Sequence, residues 1–225
     1  YRSFTAGRLA PGARVAFEVA VPEAQRDAVA LSVGEVRTFL EQDAAALTVR
    51  EEHRLSVSGD RMLVAEPGRN LYRIALPADA RDIRFATDPP GIALVPGENG
   101  GIEVAGPIPA GDSAVELLYH VPVTGGRGEL TLQSSKGIPL LSVFVADTGL
   151  ALESERLHRR RPVRTEDRTY LHLEAFDVEP DEKVTVSIEG LARSGGLGST
   201  AGLLAALLAA GGIAWILAAP LLRAV

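Results

Sequence analysis

The chain contains four histidines, His53, His120, His158 and His172, and no cysteine. No two of these histidines stand at i, i+2 or i, i+4, and no HExxH occurs, so the usual spacing of zinc ligands is missing. The one local acid–base constellation is "EEHR", Glu51 to Arg54. Neighbours in a strand point to opposite faces, so Glu51 and His53 share a face that Glu52 cannot join. That spacing permits general acid–base work but fits a surface ion pair better. In "TYLHLEAF" the same alternation sets His172 with Tyr170, Glu174 and Phe176, opposite Leu171, Leu173 and Ala175, as a solvent-face residue. No GxSxG nucleophile motif occurs. "PGENGG" lacks the Lys of a phosphate-binding loop and reads as a turn. The residues therefore point to no catalytic, cofactor-binding or metal-ligating group, and to a protein that is not an enzyme.

The densest charge feature is "RLHRRRPVRTEDR", which holds Arg156, Arg159, Arg160, Arg161, Arg164 and Arg168. Arginine forms bidentate bonds to carboxylates and is enriched at interfaces, so the stretch is either a solvated loop between strands or a docking patch.

The elements that would position these residues are short alternating strands. "ARVAFEVAV" places Val15, Phe17, Val19 and Val21 on one face. "LTVREEHRLSVSG", "RMLVAE" and "LYRIALP" follow, then "GIEVAG", "AVELLYHVPV", "GELTLQSS", "PLLSVFVAD", "TYLHLEAF" and "EKVTVSIEG". Strands of this length, bounded by Gly, Pro, Asp and Asn, predict an all-β sandwich architecture. Helix-like stretches are confined to "EAQRDAVA" and "VRTFLEQDAAA". Turn residues are densest at 96–101, which divides the chain into a β-rich domain (1–97) and a second β-sandwich (98–191). One continuous sandwich satisfies the same length. "ARSGGLGST", residues 192–200, reads as a Gly/Ser linker.

After Arg193 the only charged residue is Arg223, and residues 201–222 are Ala, Leu, Gly, Ile, Trp and one Pro. A helix of that length rises roughly 33 Å, enough for a hydrocarbon core of about 30 Å. A single C-terminal transmembrane helix is therefore expected. Gly198, Gly202, Ala206, Ala210, Ala214 and Ala218 recur every four residues, a ridge against which a partner helix can pack closely. Trp215 lies deeper than an interfacial aromatic and could face the same partner. Net charge is −6, and 21 of the 23 basic residues are Arg. An acidic domain is a poor match for nucleic acid. Tyr1 in place of Met reads as a processed or trimmed start. With the β-rich domain, it favours an inner-membrane protein whose domain is periplasmic.

"IEVAGPIPAGD", "SAVELLYHVPV" and "DEKVTVSIEGL" before a terminal span resemble, in strand pattern and order, a loose family of bacterial envelope proteins. Those proteins carry carboxypeptidase-regulatory-like or immunoglobulin-like β-domains followed by one C-terminal transmembrane helix. The resemblance covers about residues 45–225; it implies an accessory fold, with no peptidase activity and no catalytic residues. The expectation is a non-catalytic accessory subunit of a bacterial membrane complex, such as a respiratory assembly or photosynthetic reaction centre. Its partners would be other membrane subunits and the bilayer, with no cofactor. The alternative is a free-standing, membrane-tethered periplasmic binding module for a peptide or glycan.

Overall fold

A computed structural model describes residues 22–43, 46–97, 100–165 and 167–191. These residues are all-β: they form strands, with no α-helix and a single 3-10 turn at Ala28–Ala30. The strands are β1 (Ala24–Gln25), β2 (Leu31–Asp43), β3 (Ala46–Val57), β4 (Met62–Leu63), β5 (Tyr72–Ile74) and β6 (Arg81–Asp88). They continue as β7 (Ala93–Pro96), β8 (Ile102–Gly106), β9 (Gly111–Pro122), β10 (Arg127–Leu132) and β11 (Ile138–Ala146). The last are β12 (Ala151–Glu153), β13 (His158–Arg159), β14 (Val163–Arg164), β15 (Thr169–Val178) and β16 (Val184–Glu189).

Eight strands make the principal sheet, in the order β13-β15-β11-β2-β3-β9-β6, with β14 also on β15. Its pairs are antiparallel except β11 with β2. Strands from both sides of the 96–101 turn join in it, because β3 pairs with β9 from Ala46↔Pro122 to Val57↔Gly111. Two three-stranded sheets, β5-β8-β7 and β10-β16-β12, share one hydrophobic core with this large sheet. The small sheets meet where Ile74 bridges Ser134, with Ala75 donating to the Gln133 carbonyl and Ser135 to that of Arg73.

Period-two patterning explains the core. On β3, Leu47, Val49, Glu51, His53, Leu55 and Val57 all face inward and are buried. Burying a Leu or Val side chain contributes roughly 1.5–3 kcal/mol, so a strand of this kind has one permitted register. Residues 36–43 correct the helix-like reading of "VRTFLEQDAAA": they belong to β2, held between β3 and β11. Val36, Thr38 and Leu40 are buried while Arg37, Phe39 and Glu41 lie on the other face, a period that only a strand can satisfy. Helix-forming Glu, Gln and Leu are overridden by tertiary pairing. Gly101, at φ +97°, marks a close backbone approach: a Cβ there would lie 2.3 Å from the Ile74 carbonyl oxygen.

The two ends of the principal sheet differ. At one end Pro162 separates β13 from β14, each only two residues long. At the other, β6 runs eight residues with an exposed profile, and carries the exposed side chains Ile83 and Phe85.

Candidate functional site

Glu51 and His53 do share a face, but it is the inward one. The expected surface ion pair is instead sealed in the core, with Glu51 and His53 each 2 % exposed. His53 Nε2 lies 2.9 Å from Glu51 Oε2, and His53 Nδ1 lies 2.9 Å from the Tyr72 hydroxyl. The Tyr119 hydroxyl donates to the other carboxylate oxygen, Glu51 Oε1. Three strands bring these groups together: β3 supplies the pair, β9 the neighbouring Tyr119, and β5 brings Tyr72 from a small sheet. The network therefore bridges two sheets through a core that is otherwise almost wholly apolar. Tyr72 and Tyr119 are 1 % and 0 % exposed. Burial, followed in Tyr119 by the adjacent Glu51 charge, holds both phenols well above their usual range. Thr38 stands opposite Glu51 on β2, and its buried hydroxyl has no hydrogen-bond partner.

Neither of the two surface grooves described below is lined by a residue of this network. Among the described residues no group of three His, Asp or Glu is arranged to hold a metal ion.

The outer face of the principal sheet has a different character. Arg50, Phe39, Phe144 and His172 occupy one cross-strand row over β3, β2, β11 and β15. Phe39 and Phe144 stack with centroids 4.8 Å apart, Phe144 and His172 at 4.5 Å, and the Arg50 guanidinium lies 5.1 Å over Phe39. Tyr170 meets Phe39 edge-on and hydrogen-bonds to Glu41. Phe176, exposed, is covered by Arg160 at 5.3 Å. Alternation alone placed His172 with Tyr170, Glu174 and Phe176, and β15 has that arrangement, with Leu173 and Ala175 buried behind. Partial burial, the leading cause, pushes the His172 imidazole below its usual range, against the opposing charge of Glu174. One open groove crosses this face above β3, lined by Glu35, Glu52, Arg54, Asp88 and Asp112. A second, shallow groove lies along β16 and is lined by Glu153, Arg156, Glu182 and Lys183.

The arginine stretch folds onto the sheet as β13 and β14. Arg156 pairs with Glu182 at 2.8 Å and donates to the carbonyls of Phe176 and Asp177. Arg159 donates to the Leu152 carbonyl, Arg160 pairs with Glu174 at 2.7 Å, and Arg168 with Glu41 at 2.7 Å. Arg161 and Arg164 are exposed and, among the described residues, make no ion pair. The partner-helix positions Gly198, Gly202, Ala206, Ala210, Ala214, Trp215 and Ala218 lie outside the described residues, as does the expected span 201–222. No helix among the described residues is long and apolar enough to cross a membrane.

No protein-family model and no curated protein matches the chain. Among solved structures it is similar to an M1 zinc metallopeptidase from Deinococcus radiodurans, at 11 % identity and a TM-score of 0.42. That likeness covers 71 % of this chain and 42 % of the other. It is also similar to native yeast LTA4 hydrolase, at 8 % identity and a TM-score of 0.44, over 74 % of this chain and 30 % of that one. The chain thus spans less than half the length of either protein, and overlap at this level carries no chemistry across.

Proposed function

We propose that this chain is a non-catalytic accessory subunit of a bacterial membrane complex, a β-sandwich domain tethered by residues 201–222. The observation that supports the reading best is the outer face of the principal sheet. It offers Arg50, Phe39, Phe144 and His172 in one row, with Arg160 over Phe176 elsewhere on the sheet, a composition that suits protein–protein contact. Arg161 and Arg164 extend this surface at the sheet edge, where unpaired guanidinium groups suit carboxylates of a partner. The Glu51–His53 pair is taken up by hydrogen bonds within the core, which fits a structural role for it.

The test is the size at which the full-length protein migrates when its membrane is solubilised in mild detergent. Migration with a large complex is expected, and R161E with R164E should weaken the association while leaving the domain folded. Migration alone at the size of a monomer or homodimer would overturn the subunit reading in favour of a free-standing tethered binding module.

A further inference from the structure

Edge strand β6 carries a residue pattern that is complementary to itself. Among the described residues it pairs with β9 alone, so the backbone groups along its other side meet no strand. A bulge between Arg81 and Arg84, with Asp82 at φ +53°, interrupts its start, and Pro89 follows its end. The regular ladder is therefore "RFATD", Arg84–Asp88, opposite Leu118 to Ala114 of β9. Arg84, Ala86 and Asp88 lie on the outer face; Arg84 and Asp88 are exposed and, among the described residues, make no ion pair. Phe85 lies on the core-side face and is 54 % exposed, although Leu117, its neighbour on β9, is 1 % exposed.

Amides in an antiparallel ladder point alternately to one neighbour and to the other, so outward-pointing residues must meet outward-pointing residues. A strand laid antiparallel on its own copy therefore has one residue opposite itself. Centring on Arg84 or Asp88 opposes like charges. Centring on Phe85 carries Asp88 onto Asp82, and centring on Thr87 sets Phe85 and Arg84 opposite Pro89 and Pro90. Ala86 is the centre that keeps all five residues in the ladder. It puts Arg84 opposite Asp88 at both ends and Phe85 opposite Thr87 on either side of Ala86. The two Phe85 rings become diagonal neighbours on the core-side face, which withdraws apolar surface from water. We propose that β6 is a self-association edge: two copies of this chain pair antiparallel through Arg84–Asp88, with Ala86 opposite Ala86. Opposite charges directly across a ladder stabilise it and like charges destabilise it, so the pattern selects this register as well as this partner. The arginine edge at β13 and β14 lies at the other end of the sheet, so both surfaces can be occupied at once.

The chain has no cysteine, so one introduced thiol reports on its own copy alone. Directly opposite residues of an antiparallel pair have Cβ atoms about 4.5–5.5 Å apart, close to the span of a disulfide. The full chain in mild detergent, carrying Ala86→Cys and mildly oxidised, should give a disulfide-linked pair on a non-reducing gel. Val29→Cys, in the 3-10 turn and 86 % exposed, controls for chance collision. Adding Arg84→Asp to Ala86→Cys sets like charges opposite each other at both ends, and linkage should fall about tenfold. Adding Asp88→Arg as well reverses both pairs and should restore it. Linkage of Ala86→Cys no greater than that of Val29→Cys overturns the proposal and leaves β6 to another occupant, residues 13–21 of the same chain included. Linkage that ignores Arg84→Asp, or that Asp88→Arg does not restore, overturns it too. Linkage between copies is read separately from migration with a larger complex, so this proposal and the accessory-subunit reading fail independently.

Discussion

At the scale of single residues, the core is unusual for what it leaves unmade as much as for what it makes. The hydroxyl of Thr38 sits opposite Glu51 with no partner, and an unpaired buried hydroxyl costs about 1–3 kcal/mol. Thr38→Val keeps the shape and removes the polar atom. It should therefore stabilise the domain by about 1 kcal/mol in chemical denaturation, and a loss of stability would mean the hydroxyl serves the network after all. The phenols make a second prediction. Both Tyr72 and Tyr119 are raised in the fold, so the unfolded chain gives up these protons first as pH climbs. Their contribution is complete below about pH 10 and declines above it. Alkaline unfolding followed by circular dichroism should show this steep loss, and Tyr119→Phe should blunt it. Period-two spacing was enough to put Glu51 and His53 on one side of a strand. It could not show that the side was the inner one, because the partners that make burial tolerable lie 19 and 68 residues away in sequence.

Among the elements, the arginine-rich stretch is a strap more than a loop. Arg156 ties the end of β15 to the turn before β16, with two contacts to the Phe176 and Asp177 carbonyls and one ion pair to Glu182, and Asp181 in that turn is at φ +60°. Partial exposure of the pair screens it, so Arg156→Ala should cost about 1 kcal/mol. The accompanying signal is faster hydrogen exchange at residues 177–183. Arg156→Lys should not restore protection, since an ammonium cannot reproduce the planar fork. If exchange there is unchanged by either substitution, the turn is held by its own backbone. Strand recognition from sequence succeeded where alternation was clean, as in β3, β9, β15 and β16. It failed on β6, whose "RDIRFATD" is charged because the strand lies at an edge, and on β2, whose residues favour helix until two neighbours pair with them.

For the whole molecule, the outer face and the core of the β-domain differ in character. One side spends its aromatic rings on a surface row, and the other keeps its hydrogen bonds inside. Composition made the class of architecture legible, since short apolar alternations separated by Gly and Pro leave few choices. Which strands would be neighbours was not legible: the parallel contact of β11 with β2 joins residues about a hundred positions apart, and no local signal encodes it. The unequal ends of the principal sheet carry a consequence for how copies of the domain can associate. A strand interrupted by proline offers no continuous row of amides to a newcomer, whereas β6, beyond its bulge between Arg81 and Arg84, does so over Arg84–Asp88. Through this sheet, a molecule can be joined on one flank only. Association by edge pairing would then end at two copies, joined β6 to β6 about a twofold axis, and could not propagate into a filament.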